Sequence, residues 1–217
     1  MHYTMSELTS RQRYKILVST VTPRPIAWVT TRSVDGVVNA APYSFFNAVG
    51  DDPALVVLGL LHGPEEGADK DTGTHIKQTR EFVVNLVAEH DMERMNLSCV
   101  DAPREVSEVE YAEIETVPAS AVAAPLIASA PVSFECRLVE ALAVGTHQTV
   151  VLGEVVVAHV KDEFVSDLER MHFDTPAMKL VGRMHGSGTY LRNTDRFTVP
   201  RPAYDPQRLT ELRRTKD

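Results

Sequence analysis

The sequence predicts a mainly β chain with peripheral helices, its strands forming an antiparallel sheet closed into a barrel. Three observations carry this prediction. Runs of β-branched, aromatic and aliphatic residues recur along the chain between Gly, Pro, Asn and Asp clusters. The two longest runs, 132–144 and 148–160, are separated only by Gly145-Thr146-His147, a hairpin link. Hairpins spread through the whole chain favour an antiparallel barrel over strands alternating with crossover helices.

The elements follow in order. Residues 1–22 read as a polar approach in which Tyr14, Ile16, Leu17 and Val18 form one apolar patch. From Pro25, the run Pro-Ile-Ala-Trp-Val-Thr-Thr is a strand, Val34-Asp35-Gly36 a turn, and Val37 to Ala41 the return strand of a hairpin. Asp52-Pro53 restarts the chain, and Ala54 to Leu60 is a continuous apolar run that predicts burial on both faces. Residues 61–70 are breakers and charges, hence an exposed loop. Asp71 and Thr72, both good N-cap types, open a helix of about two turns before Glu81 to Val87 resumes as strand. Asp91 to Val100 is expected to be helical with Met92, Met95 and Leu97 inward, and Glu105 to Glu115 to be loop plus a short helix. The strand from Val132 to Val144 alternates around Phe134, Cys136, Leu138 and Ala141. A tail from Arg192, with Pro200, Pro202 and Pro206, reads as an arm ending in a short basic helix.

Composition bounds the function. The chain has 217 residues, 22 Lys plus Arg against 30 Asp plus Glu, and a formal charge of −8. Its 43% hydrophobic and 24% charged content are those of an ordinary globular domain, so one domain over 1–217 is expected. No stripe of Lys or Arg offers a footprint for phosphate backbones, so nucleic acid is not an expected partner. The start lacks a basic segment and apolar run, and the least polar stretch, Ala121 to Val132, falls short of the roughly 20 residues a spanning helix needs. Cys99 and Cys136 are too few for a disulfide framework and read as buried free thiols. A cytoplasmic protein with no membrane contact is expected.

Several chemistries lack their motifs. The eight histidines form no HExxH pattern, there is no paired-Cys spacing, and no metal site is expected. The cluster Gly182 to Gly188 lacks the third glycine and following helix of a dinucleotide loop. Neither GxxxxGK[ST] nor GxSxG occurs.

What remains is the segment Asn39-Ala40-Ala41-Pro42-Tyr43-Ser44-Phe45-Phe46-Asn47, with three aromatics, two amides and a hydroxyl where a strand leaves a hairpin. Small residues allow close approach to backbone, and the amides could read the edge of a flat heteroaromatic ring. A strand packing its aromatics into a barrel core is the plainer alternative. Lys70-Asp71-Thr72 opens a helix whose free N–H groups and dipole, with the lysine, favour an anion; a plainly capped helix accounts for the same residues.

The run Pro23-Arg24-Pro25-Ile26-Ala27-Trp28-Val29, then Asp35-Gly36, the segment 39–47 and Asp52-Pro53 closely resemble the N-terminal signature of the flavin reductase-like, FMN-binding split-barrel family (flavoredoxin-like). Lys70-Asp71-Thr72, Glu81 to Leu86, Gly153-Glu154-Val155, and Gly182-Arg183 before Tyr190 continue it in order, over about residues 10–192. The resemblance implies a six-stranded antiparallel split β-barrel, a homodimer, and FMN at or near each subunit interface. It implies that Asn39, Ala40, Ala41, Pro42, Tyr43, Ser44, Phe45 and Asn47 line the ring and ribityl chain, that Lys70, Asp71 and Thr72 meet the phosphate, and that Arg183 contacts flavin, nicotinamide or a partner. Trp28 is expected to be core. His147, on the turn between the two long strands, is the substrate-side candidate, with a solvated turn histidine as its alternative. No catalytic residue is assigned. Where many relatives carry a pair of glycines after Gly-Arg, this chain has Met184-His185-Gly186-Ser187-Gly188, which bears on specificity and on His185.

The implied activity is oxidoreduction. Bound FMN takes electrons from NAD(P)H and passes them to free flavin or another small acceptor, with a monooxygenase as a candidate recipient of reduced flavin. Such chemistry belongs to the cofactor and needs no nucleophilic side chain. A flavin carrier without nicotinamide turnover is the alternative, and a barrel that has lost its cofactor a third reading.

Overall fold

The structure, a computed structural model, describes residues 1–63 and 69–207. In chain order the elements are α1 (Ser10–Thr20), β1 (Ala27–Arg32), β2 (Val38–Tyr43), β3 (Phe46–Asp51), β4 (Ala54–Leu61), α2 (Asp71–Thr79), β5 (Glu81–Leu86), α3 (Met92–Leu97) and α4 (Glu108–Tyr111). There follow β6 (Thr116–Val117), β7 (Leu126–Ile127), β8 (Val132–Val144), β9 (Gln148–Val160), β10 (Val165–Asp167), β11 (His172–Phe173), β12 (Val181–Arg183) and β13 (Tyr190–Arg192). The fold is mainly β with a few helices. Among the described residues, no helix is long and apolar enough to cross a membrane.

The main sheet is antiparallel and seven-stranded, in the order β2-β1-β5-β8-β9-β4-β3. The count corrects the expected six, and the cause lies at Ser44-Phe45. Residues 38–51 break there into β2, which pairs with β1, and β3, which pairs with β4. One bent segment therefore supplies both sheet edges and curls the sheet on itself. Phe45 clamps the bend, its carbonyl accepting the Gly59 N–H at 2.7 Å. Pro42, which cannot donate to a ladder, sits on the β2 edge where a missing N–H is harmless.

β1 alternates between two cores. Ala27 and Val29 face the barrel interior with Leu58, Phe82, Val84 and Val151. Trp28 and Ala40 face a second cluster with Met95, Ile114 and Ile127. Trp28 is fully buried, as expected, and its indole N–H donates to Ser98 Oγ at 3.0 Å. Ala54 to Leu60 is expected to be buried on both faces; instead it alternates, because only Val56, Leu58 and Leu60 reach a core, whereas β1 and β5 pack against a further cluster on their other face through Trp28 and Val83.

Three further expectations are corrected. The approach segment holds a full helix, α1, started by a capping box in which Thr9 and Gln12 bond each other's main chain and side chain. Leu97 is exposed, because α3 stops after six residues and turns only Met95, with Met92 partly covered, inward. Cys99 is exposed, whereas Cys136 is buried. Part of the expected loop, residues 64–68, and the expected basic helix at the chain end lie outside the described residues.

Gly153 on β9 has a packing reason. A Cβ there would stand 2.4 Å from Cζ of Phe82, whose ring is fully buried over it. Gly153→Ala is expected to destabilise the protein by about 1–3 kcal/mol through overpacking, read as a lower urea midpoint at unchanged slope.

Candidate functional site

The site grows from the start of α2. Lys70 is its N-cap, displacing the expected Asp71 or Thr72, and among the described residues no side chain caps the first turn. Thr74 N–H makes the first intrahelical bond, to the Lys70 carbonyl at 3.0 Å, so the N–H groups of Asp71, Thr72 and Gly73 take no part in the helix ladder. The buried Thr72 hydroxyl donates to Asn39 Oδ1 on β2 at 2.9 Å, and Asn39 Nδ2 donates to the buried Glu108 on α4 at 2.8 Å. The chain of bonds fixes which way the Asn39 amide faces. Burial raises the Glu108 pKa above the ordinary carboxylate range against the hydrogen bonds it accepts. Burial likewise pushes the Tyr43 phenol up to about 12, partly offset by Thr72.

These elements enclose a cleft of about 530 Å³. Asn39, Ala41, Pro42 and Tyr43 form one side, Lys70, Asp71 and Thr72 a second, and the 98–104 loop a third. A smaller cleft of about 220 Å³ adjoins it at Pro42, Tyr43 and Cys99, and is bounded beyond them by Ser44, Met95, Arg183 and Tyr190.

Three ion pairs sit at the larger cleft. Lys77 holds Asp69 at 2.6 Å, Arg104 holds Asp71 at 3.4 Å, and Lys70 holds Asp101 at 2.7 Å. The last pair is loose, since the Asp101 side chain is 86% exposed and a solvated ion pair is worth only about 0–1 kcal/mol. An arriving anion can therefore take Lys70 from Asp101 at small cost.

The sequence-expected residues divide. Asn39, Ala41, Pro42, Tyr43, Lys70, Asp71 and Thr72 are brought together on the larger cleft; Ser44 and Arg183 lie on the smaller one. Ala40 is fully buried in the second core. Phe45 packs on Gly59 and lies 6.0 Å from the Tyr14 ring, between ring centres. Asn47 is exposed on β3, its Oδ1 accepting the neighbouring Ala48 N–H. His147 is exposed at the β8–β9 tip; its carbonyl accepts the His62 N–H, one residue from the cleft-lining Gly63. Sequence reasoning missed Glu108, Asp101, Arg104 and Cys99. Glu108 stands among Glu105, Glu110, Glu113 and Glu115, and only a helix start pinned by the Ser107 hydroxyl, which donates to the Val38 carbonyl and caps Glu110 N–H, turns it inward.

Residues 19–177 match the family model described as the flavin reductase like domain. The chain belongs to the flavin reductase-like family. An uncharacterized family relative from Deinococcus radiodurans is 39% identical over 207 residues, 94% of this chain and 90% of its own. Among solved structures, this flavin reductase-like chain is similar to the 2-nitrobenzoate 2-nitroreductase NbaA of Pseudomonas fluorescens, with TM-score 0.85 and 35% identity, covering 95% of this chain and 98% of that one. It is equally similar in fold to nitrilotriacetate monooxygenase component B from Bacillus cereus, with TM-score 0.85 and 27% identity over 92% and 98% of the two chains. The bent 38–51 segment accounts for the split-barrel form of this flavin reductase-like fold.

Proposed function

We propose that this chain is an FMN-dependent oxidoreductase that takes electrons from NADH or NADPH and passes them to free flavin or another small acceptor. The observation that carries the reading is the 530 Å³ cleft, whose volume falls within the roughly 300–1,000 Å³ of small-molecule sites and whose far end is an uncapped helix start beside a lysine. The donor set fits FMN. Lys70 and the first N–H groups of α2 would hold the phosphate. Asn39, locked by Glu108 and Thr72, offers a fixed amide, and Ala41, with nothing beyond Cβ, lets a flat ring approach β2. Pro42 and Tyr43 would border the ring where the second cleft begins.

FMN, when bound, supplies the two-electron chemistry. The protein's residues bind, orient and exclude water. No ionisable side chain is required to attack the substrate.

The likeness to a monooxygenase component supports a monooxygenase as recipient of reduced flavin. Exposed Val139, Leu142 and Val144 on β8 support a homodimer. A cytoplasmic setting, where nicotinamide dinucleotides are at hand, completes the reading. His147 stays a candidate for the substrate side through its place beside the cleft rim.

Anaerobic mixing of the FMN-loaded protein with NADH and NADPH tests the enzyme reading: bleaching of the yellow colour by either is expected, and persistence with both would make the protein a carrier. Asp101→Asn is expected to tighten FMN binding about two- to fivefold by releasing Lys70, measured by quenching of flavin fluorescence. Looser binding would contradict the displacement of Asp101.

A further inference from the structure

Among the described residues, Arg24 and Arg183 stand side by side with no carboxylate paired to either. Their main chains pair, Arg24 N–H on the Arg183 carbonyl at 3.0 Å and Arg183 N–H on the Arg24 carbonyl at 2.8 Å. Arg24 is 6% exposed, and its guanidinium meets only neutral acceptors: the Val18 and Val21 carbonyls at 2.8 Å, the Met184 carbonyl at 3.2 Å and Ser44 Oγ at 3.2 Å. Arg183 donates to the Thr189 and Gly186 carbonyls and lies 4.7 Å above the centre of the Tyr190 ring. Among the described residues, neither guanidinium has an ion-pair partner. Burial, with the like charge of Arg183 adding to it, lowers the Arg24 pKa below its ordinary value. In a chain of net charge −8, two adjacent cations left without counter-charge are a local cost that a bound anion would relieve.

The smaller cleft is where that anion can sit. Ser44 Oγ accepts from Arg24 Nε, so its own proton is free to be donated. Of the five guanidinium protons of Arg183, two are engaged by the carbonyls named above, which leaves an Nε–H and further N–H donors in one plane. Although Cys99 as a residue is exposed, partial desolvation raises the pKa of its thiol against the opposing pull of Arg183 and Lys70, so it adds no negative charge. Of the other lining residues, Ile26, Pro42, Met95 and the Tyr43 and Tyr190 rings are apolar or flat, Gly188 adds main chain, and Asn96 adds one neutral amide at the wall. At about 220 Å³ the space lies below the roughly 300 Å³ where drug-sized sites begin, so it suits a single ring and is too small for a dinucleotide.

We propose that the cleft between Ser44, Arg183 and Tyr190 is a subsite for a small planar carboxylate, a single conjugated or aromatic ring carrying one carboxyl group. A guanidinium fork matches a carboxylate in shape and charge, while the apolar walls take the ring. The subsite opens on the larger cleft at Pro42, Tyr43 and Cys99, so the ligand would be the electron acceptor beside the flavin; that role, unlike the binding itself, rests on the flavin reading. It also assigns Arg183 to the acceptor and not to FMN.

Calorimetric titration tests this with benzoate and its uncharged analogue benzamide on FMN-loaded and flavin-free protein, and with inorganic phosphate on the FMN-loaded protein, in which the α2 anion site is already filled. Benzoate is expected to bind at least tenfold more tightly than benzamide or phosphate. Arg183→Gln should weaken benzoate tenfold or more while changing benzamide and FMN affinity less than twofold, with Arg183→Lys in between. Because Arg183 also holds the 184–189 turn, Ser44→Ala provides a second variant that leaves this turn untouched and should weaken benzoate by severalfold. Equal binding of benzamide or phosphate, an unchanged benzoate affinity in Arg183→Gln, or a parallel loss of FMN in that variant would overturn the proposal. Benzoate binding to a protein that rejects FMN would sink the flavin reading and keep the subsite; FMN binding without benzoate would do the reverse.

Discussion

Replacing Lys70 by alanine is expected to weaken FMN binding by about 10- to 150-fold, the equivalent of losing a charge-assisted hydrogen bond of roughly 1.5–3 kcal/mol. The size of the effect comes from how little else there is. The other cation on the cleft, Arg104, holds Asp71 and the Asp69 carbonyl, and Lys77 holds Asp69. Lys70 alone is tied to a group as exposed as Asp101 and sits at the uncapped end of α2. A phosphate there meets one ammonium and the main-chain N–H groups of Asp71, Thr72 and Gly73, and the alanine variant keeps only the latter. The loss should shrink as salt rises, because an exposed charge pair is screened. Fluorescence titration at two ionic strengths checks both statements, and an unchanged affinity would remove Lys70 from the phosphate site.

Glu135→Ala is expected to cost about 3–5 kcal/mol of stability, the penalty of stripping the acceptor from a buried, hydrogen-bonded charge cluster. The Glu135 side chain is fully enclosed on β8. One oxygen accepts Ser120 N–H at 2.8 Å, Ser120 Oγ–H at 2.7 Å and His159 Nε2 at 2.6 Å; the other accepts the N–H groups of Ala121 and, at 3.1 Å, Val122. It thereby pins the 120–122 turn to the sheet and satisfies donors that have left any ladder. Burial alone would raise its pKa, but these donors overcome that and hold it at about 2. The sign follows. The folded carboxyl binds its proton less readily than the unfolded one, so its stabilisation is complete above the unfolded value of about 4.5 and is lost as pH falls from there toward 2. Denaturant melts of wild type should therefore show an acid limb worth roughly 3 kcal/mol over that window, and Glu135→Ala should flatten it.

Much of the barrel could be read from the residues, for reasons tied to particular strands. β8 and β9 have the bounds their patterns predict, because Phe134, Cys136 and Leu138 alternate over a link too short for anything but a hairpin. β1 and β2 followed from Trp28-Val29-Thr30 and the Asp35-Gly36 turn. β3 was hidden. Apart from Phe46 and Val49, its residues Asn47, Ala48, Gly50 and Asp51 are poor β-formers, it is mostly exposed, and only pairing with β4 makes it a strand. α1 was hidden for a related reason: among its residues only Val18 is buried, so it offers no apolar stripe, although Thr9-x-x-Gln12 did mark its start.

The candidate site was legible in part. The segment 39–43 and the triplet 70–72 meet across one cleft, as their chemistry suggested. The segment's other members went elsewhere because a strand's side chains alternate and this one bends: Ala40 turns into a core, and past the bend Phe45 and Asn47 leave the cleft. Arg24 stands between Pro23 and Pro25, and nothing local shows that it turns inward onto four neutral acceptors. Its pairing with Arg183 joins residues 159 positions apart in sequence, a relation that only the folded chain reveals.

The central claim is that the cleft between β2 and α2 holds FMN by its phosphate, and comparing FMN with riboflavin, which lacks that phosphate, tests it most directly. Fluorescence titrations of wild type and Lys70→Ala with both flavins are predicted to show FMN preferred at least tenfold by wild type and the preference largely gone in the variant. Equal affinity of wild type for the two flavins, or a preference that survives the loss of Lys70 intact, would contradict it.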